Sequence, residues 1–409
     1  MKYSLLAPSQ INTIINLPAS KSISNRTLII NALASEKAPI QNLSDCDDTQ
    51  VMIQALSQDK PTIDILAAGT AMRFLTAYLS LQEGTRTLTG TKRMQERPIK
   101  ILVEALRQLG AQIDYTKEEG FPPLRISGQP LQGGEIKIKG NISSQYISAL
   151  LLIAPCLEKG LTLKIEGTLI SRPYVDLTLN IMQDFGASVE WLSPNALRVY
   201  PKPYEKTAYT IENDWSAASY WYALVALMPE ATVVLSNLYE KSYQGDSRGK
   251  ELFQLLGVKT VHTGDSITLT KKRIEVESLK ADFIEIPDLA QTFVVACCLL
   301  HIPFQFTGLQ SLKIKETDRL EALRIEMEKL GYPLICKDNN TLLWEGQRMP
   351  AHSSPQIKTY EDHRMAMAFA PAALHHPHLI IENPEVVTKS YPDFWTDLTR
   401  AGFRISEQE

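Results

Sequence analysis

Five times along this 409-residue chain a helix-like stretch ends in an apolar residue, then glycine, then a short strand-like run. The pairs are Leu109-Gly110, Phe185-Gly186, Leu256-Gly257, Leu330-Gly331 and Ala401-Gly402. Glycine after the last helical turn is the usual left-handed cap, so each pair marks a helix end. Successive glycines stand 76, 71, 74 and 71 residues apart, which predicts a repeated α/β segment of roughly 70 residues. A sixth, weaker copy runs from Met52 to Ser57, with Ser57 where the glycine would stand. Only 53 residues separate Ser57 from Gly110, so the first copy is short by about 20 residues against that period. Six mixed segments do not share one simple core, and two domains of three segments are the economical arrangement.

The chain then has to cross between domains twice. The polar stretch Tyr209 to Asp214 precedes a new helix-like run, Ser216 to Met228, and Pro18 to Ser20 precede a basic motif at Lys21. Residues 1–18 therefore join 213–409 in one domain, and 19–212 form an inserted domain whose first segment is trimmed. In that arrangement the charged motifs are expected to face one cleft from both sides.

Composition narrows the chemistry. Hydrophobic residues make up 44% and charged residues 22%, with a formal net charge of −4. Such a chain is an ordinary globular protein, and bulk charge selects neither nucleic acid nor an anionic membrane. Any anion site must be local. The five cysteines (46, 156, 297, 298 and 336) form no CxxC pair, which fits a reducing compartment. With no signal-like start and no apolar run of about 18 residues, a cytoplasmic protein is expected.

Cations gather where helices begin. Lys315-Glu316-Thr317-Asp318-Arg319 precedes apolar residues at helical spacing (Leu320, Leu323, Met327, Leu330). A helix N-terminus already favours anions, and Lys315 and Arg319 reinforce it. Glu316 between two cations is a candidate for proton transfer. Taken alone, the cluster reads better as a solvated first turn. Similar groups recur, however. Lys21-Ser22 and Arg26 open an apolar helix. Gly69 lies in a small-residue turn (Ala68-Gly69-Thr70) that lets backbone N–H groups approach an anion. Arg97 precedes a Pro-initiated helix. Ser143-Ser144-Gln145 offers neutral donors or a plain N-cap run. Ser171-Arg172-Pro173-Tyr174 is similar in kind and weaker. Asp288 stands where an N-cap belongs, or where a general base could be held. Asp362-His363-Arg364 sets acid, imidazole and guanidinium at one helix start, and Lys389 adds a last cation in a loop. His375, His376 and His378 flank Pro377 without a supporting carboxylate pattern, which reads as a loop rather than a metal site. Seven cations (Lys21, Arg26, Arg97, Lys315, Arg319, Arg364, Lys389) at or near helix starts of a net acidic chain match a heavily anionic substrate pair.

The set SKSISNR, AGTAMR, ERPI, GNISSQY, SRPYVDLTL, IPDLAQT, KETDR, EDHRMAM and TKSYPDF, running in order from Pro18 to Phe394, resembles the 3-phosphoshikimate 1-carboxyvinyltransferase family. The resemblance implies an α/β fold of two domains, an inverted α/β barrel of six βαβαββ segments, the first of them shortened here. It implies transfer of the enolpyruvyl group of phosphoenolpyruvate to the 5-hydroxyl of shikimate 3-phosphate, through a tetrahedral ketal that expels phosphate. No cofactor and no metal are implied, and the chain is expected to act as a monomer on two small molecules, with neither nucleic acid nor membrane as partner. By the same resemblance Lys21, Ser22, Arg26, Ser143, Ser144, Gln145, Ser171, Asp288 and Lys315 would hold shikimate 3-phosphate. Lys21, Gly69, Arg97, Gln145, Arg319, Arg364 and Lys389 would hold phosphoenolpyruvate. Asp288 would take the hydroxyl proton, and Glu316, with Lys21, would exchange a proton at the methylene carbon. The chain departs from the family pattern at Ala67 (usually Asn), Phe74 (usually Pro), Ser311 (usually Asn) and Ala19 (commonly Gly).

Three rival readings are set against this one. A related transferase acting on UDP-N-acetylglucosamine uses a cysteine on a mobile loop, and no cysteine lies between Cys46 and Cys156. A catalytically weak substrate-binding or regulatory paralogue is suggested by the trimmed segment. An RNA-end cyclase would need a basic surface that the charge balance does not offer.

Overall fold

The structure is a computed structural model that describes residues 1–58, 60–141 and 143–408. Asp59, in the shortened stretch, and Ile142, in the GNISSQY motif, lie outside the described residues, as does Glu409.

The chain divides into two compact units, one made of Met1–Pro18 with Glu212–Glu409 and the other of Ala19–Ile211. Each has its own apolar core. The terminal unit is built around Trp215, Trp221, Phe253, Phe293, Phe306 and Trp344, all almost fully buried. The inserted unit is built around Phe74, Leu102, Leu150, Leu163, Ile181 and Phe185.

Within the described residues, five four-stranded sheets share one strand pattern. In the sheet at Leu279–Asp282, that strand runs parallel to Phe304–Thr307. Phe304–Thr307 pairs antiparallel with Thr341–Trp344, which pairs antiparallel with Ile335–Lys337. The chain passes from the first strand through helix Ala290–Leu299 to the second, then through helix Arg319–Lys329 to the hairpin, giving βαβαββ. Sequential parallel strands need a crossover helix, and a short hairpin closes the segment.

Two of the five sheets are completed by distant chain. Ile11–Ile15 pairs parallel with Ala231–Leu235, so one segment is interrupted by the whole inserted unit. The last sheet takes its fourth strand from the N-terminus, Lys2–Leu6 inserting between Leu379–Glu382 and Arg404–Gln408. Among the described residues the sixth, trimmed segment keeps only a two-residue parallel pair, Ile40–Gln41 with Tyr209–Thr210. Among these residues no strand lies between its helix Asp47–Ser57 and the next sheet at Thr62–Asp64, where the other segments have their closing hairpin.

All five repeat glycines have positive φ, from 82° to 104°, as the left-handed caps read in the sequence require. The weaker copy differs. Ser57 is the last helical residue and Gln58 follows at φ −119°, so that helix ends in extended backbone with no left-handed cap.

Candidate functional site

The sequence-derived site residues sit in the connections that leave the parallel strands for the following helix, or in the first turns of that helix. This is the carboxyl edge, where open α/β sheets bind ligands. In the terminal unit Asp288 follows Leu279–Asp282, Lys315 to Arg319 follow Phe304–Thr307, Arg364 follows Gln356–Ile357 and Lys389 follows Leu379–Glu382. In the inserted unit Gly69 follows Thr62–Asp64, Arg97 follows Gly84–Thr89, Ser143 to Gln145 follow Gly134–Lys139 and Ser171 follows Leu161–Glu166.

The terminal unit draws its six candidates into one ion-pair network. Arg319, the first residue of its helix and 1% exposed, sits among three carboxylates. Its Nε is 2.6 Å from Asp362 Oδ2, Nη1 3.0 Å from Asp288 Oδ1, and Nη2 2.9 Å from Glu316 Oε2. Arg364 Nη2 lies 3.0 Å from Asp288 Oδ2, and Lys315 Nζ lies 3.6 Å from Asp288 Oδ1. Lys389 Nζ reaches Glu316 Oε1 at 3.0 Å. The expected open anion grip at Lys315 and Arg319 is thus already engaged by the protein's own carboxylates. Four cations face three acids, and an incoming anion would compete with these contacts.

Asp288 is not the N-cap that its position suggested. It lies in the 3-10 turn Pro287–Leu289, the cap position of the next helix falls to Leu289, and its oxygens accept from Arg319 and Arg364 instead. Asp362 does cap its helix, accepting from Arg364 N at 2.9 Å, while also holding Arg319. Burial disfavours the Asp288 anion, but Arg364, Lys315 and Arg319 outweigh it and hold the carboxyl well below the usual carboxylate range. Burial likewise opposes charge on Arg319, and Asp362, Glu316 and Asp288 overcome it, so the guanidinium stays charged.

In the inserted unit the candidates form smaller groups. Lys21, the first residue of the helix Lys21–Leu33, pairs with buried Asp48 at 3.2 Å. Gly69 lies against Arg97, since a Cβ built on Gly69 would stand 2.7 Å from Arg97 Nη1. Arg73 fixes that contact from behind, donating to the carbonyls of Gly69 (3.2 Å) and Pro98 (3.1 Å). Tyr146 Oη donates to the same Pro98 carbonyl. Gln145 Nε2 donates to Thr70 Oγ1 at 3.1 Å, bringing a second repeat to the Gly69 turn. Ser143 caps the helix that Ser144 begins, accepting weakly from Gln145 N at 3.4 Å. Ser171 is held at φ 55°, a left-handed conformation that costs a serine of order 1 kcal/mol.

Arg26 is tied into the fold. Its Nε donates to Thr178 (2.7 Å), and Nη2 donates to Ser148 (3.3 Å) and the Tyr174 carbonyl (3.2 Å). Nη1 donates to the Ser22 carbonyl at 2.8 Å. The residue is 3% exposed and sits over the Phe74 ring at 5.3 Å. Burial lowers its affinity for the proton to about 10. Phe74, one of the departures from the family pattern, therefore supports this guanidinium. Arg26 also sets the spacing of the helices that begin beside Ser144 and Ser171.

Several participants lay outside the candidates read from the sequence: Asp48, Thr70 and, beyond its motif, Asp362. Each is a short polar side chain at a helix start, where capping is the default reading. Only the group that each one meets distinguishes it. Among the described residues no group of three or more His, Cys, Asp or Glu side chains is placed to hold a metal ion. No helix among them is long and apolar enough to cross a membrane.

Comparison with known proteins gives the family. The family model for EPSP synthase (3-phosphoshikimate 1-carboxyvinyltransferase) matches residues 5–60 and 57–398. A 3-phosphoshikimate 1-carboxyvinyltransferase of Bacteroides fragilis is 61% identical over the full length of both chains. One from Photobacterium profundum is 36% identical, covering 95% of this chain and 96% of its own. The solved EPSP synthase of Acinetobacter baumannii superposes with a TM-score of 0.76 at 23% identity, covering 99% of this chain and 100% of its own, and shares the fold. With motifs in order from Pro18 to Phe394 and its carboxyl-edge loops charged as described, the chain belongs to the EPSP synthase (3-phosphoshikimate 1-carboxyvinyltransferase) family.

Proposed function

We propose that this chain transfers the enolpyruvyl group of phosphoenolpyruvate to the 5-hydroxyl of shikimate 3-phosphate and releases phosphate. The observation that supports the residue assignment is Arg319 bridging two carboxylates, Asp288 and Glu316, to which this reading gives different proton transfers. Lys21, Ser22, Arg26, Ser143, Ser144, Gln145, Ser171 and Lys315 recognise shikimate 3-phosphate. Lys21, Gly69, Arg97, Gln145, Arg319, Arg364 and Lys389 recognise phosphoenolpyruvate. Arg26 does so chiefly by spacing the helices, since its own donors are engaged within the protein.

The chemistry is cleavage at carbon. Glu316 delivers a proton to the methylene carbon, the 5-hydroxyl attacks the adjacent carbon, and Asp288 takes the hydroxyl proton. The ketal then expels phosphate by C–O cleavage, and a proton leaves the methyl group to restore the alkene. In the free protein Asp288 is a poor base, because three cations hold its proton affinity down. When substrate phosphate and carboxylate groups draw on Arg364, Lys315 and Arg319, that field weakens and Asp288 becomes a better proton acceptor. Substrate binding thereby arms the base. Two mutually repelling anions are held at contact by the cations, which is where most of the acceleration arises.

The chain works as a cytoplasmic monomer on two soluble substrates in this reading, and light scattering of the purified protein tests the monomer. The decisive assay is phosphate release from phosphoenolpyruvate that depends on shikimate 3-phosphate. Binding of both ligands without turnover would overturn the catalytic reading in favour of a binding paralogue.

A further inference from the structure

The terminal unit contains three βαβαββ segments, hence six connections from a parallel strand to a helix. Four of them carry the residues discussed so far. The remaining two belong to the segment interrupted by the inserted unit. One leads into the helix Trp215–Leu227, and the other runs from Ala231–Leu235 to the helix Gly249–Leu255. Ser216 is the second residue of the first helix, as Arg364 is of its own, and Asp246 lies in a 3-10 turn of the second connection, as Lys389 does in the last segment.

Both reach the same network. Ser216 Oγ donates to Asp246 Oδ2. Arg364 Nη2 lies 3.4 Å from Ser216 Oγ and 3.0 Å from Asp288 Oδ2, so one nitrogen is shared between the hydroxyl and the carboxylate of the base. Arg364 Nη1 is braced by Tyr220 Oη at 3.5 Å. Asp246 is 5% exposed and Arg364 7% exposed, so this order is held away from bulk water. A carboxylate buried this deeply is costly to keep charged unless it is paired or hydrogen-bonded, and Ser216 supplies one such hydrogen bond.

We propose that Asp246 is a positioning residue of the enolpyruvyl transfer: through Ser216 it orients Arg364, and through Arg364 it sets the strength of Asp288 as a base. The proposal rests on the assignment of Asp288 above. The groups facing Asp246 are Ser216, Arg364, Asp288 and Asp214, while Lys315 and Arg319 act on Asp288 from the other side. Burial raises the Asp246 carboxyl to about 6, with Asp288 adding to the rise and Arg364 and Ser216 opposing it. Asp246 therefore changes charge within the working pH range, and in its neutral form it withdraws a negative charge from the Arg364–Asp288 pair.

The test compares wild type with Asp246→Asn and Ser216→Ala. Both variants are small changes, and thermal unfolding checks that each is folded. Expected is a fall in kcat of between ~10- and ~100-fold, the cost of a slightly misplaced reacting group. KM for shikimate 3-phosphate should change little. The acid limb of the wild-type kcat profile, centred near pH 6, should be absent in Asp246→Asn. Substrate phosphate ionises identically with both proteins, so a difference in the limb belongs to the protein. A carboxyl-13C titration reads the coupling without turnover: the Asp288 signal should step at the midpoint of Asp246 in wild type and not in Asp246→Asn. Unchanged kcat in both variants, an acid limb retained in Asp246→Asn, or no step in the Asp288 signal each overturns the proposal. A wild-type protein that releases no phosphate overturns the enzymatic reading instead, and the titration still decides whether the network is coupled.

Discussion

The guanidinium of Arg319 and the carboxylate of Asp288, 31 residues apart in sequence, are hydrogen-bonded at 3.0 Å. The same Arg319 holds Glu316 and Asp362, so one fully buried cation organises acids from three connections of the terminal unit. Loss of any one partner leaves the others with unbalanced buried charge.

Asp288→Asn should destabilise the free protein by about 1–3 kcal/mol, since it leaves Arg364 and Lys315 without their shared anion. The Asp288 carboxyl is held below its ordinary value, so its contribution is complete above the unfolded carboxylate pKa of about 3.9. That contribution disappears as pH falls through the lower folded value. Urea melts should show a constant gap between variant and wild type from neutral pH down to about 4, closing at lower pH. A gap that widens on acidification would contradict the pairing.

Glu316→Gln keeps the shape of the side chain beside Arg319 and Lys389 and removes its proton chemistry. Steady-state kinetics should show kcat reduced by at least ~100-fold with both KM values nearly preserved. Full turnover would remove Glu316 from the proton-transfer role.

Gly69→Ala places a methyl group where Arg97 Nη1 now lies. Because the obstacle is the far end of a flexible side chain, the fold should survive and Arg97 should shift. KM for phosphoenolpyruvate should rise about tenfold, equivalent to about 1.4 kcal/mol, while KM for shikimate 3-phosphate stays near wild type. Arg97→Ala should act in the same direction. Equal affinity in both variants would show that Arg97 does not meet this substrate.

Arg26→Lys retains charge but cannot serve Thr178, Ser148, the Tyr174 carbonyl and the Ser22 carbonyl together. Calorimetry should show a loss of about 2–4 kcal/mol, typical of a broken buried network. A variant as stable as wild type with weakened shikimate 3-phosphate binding would make Arg26 a direct ligand rather than a spacer of helices.

By itself the sequence determined the repeat, because helix caps and apolar periodicity are local. A left-handed cap favours glycine, and Gly110, Gly186, Gly257, Gly331 and Gly402 record that preference directly. Local order likewise exposed the charged helix starts at Lys21, Arg97, Lys315 to Arg319 and Arg364. It could not say how the shortened segment closes. The answer, Ile40–Gln41 pairing with Tyr209–Thr210, joins residues on opposite sides of the inserted unit. Nor could it distinguish Asp288 as an ion-pair partner from Asp288 as a cap, or reveal that Arg319 is engaged by three of the protein's own acids. Those outcomes depend on which connections the parallel strand pairs bring edge to edge, and on burial that makes each charge find a partner. Spacing along the chain carries no record of either, so tertiary structure alone decided which cations and carboxylates of each unit meet.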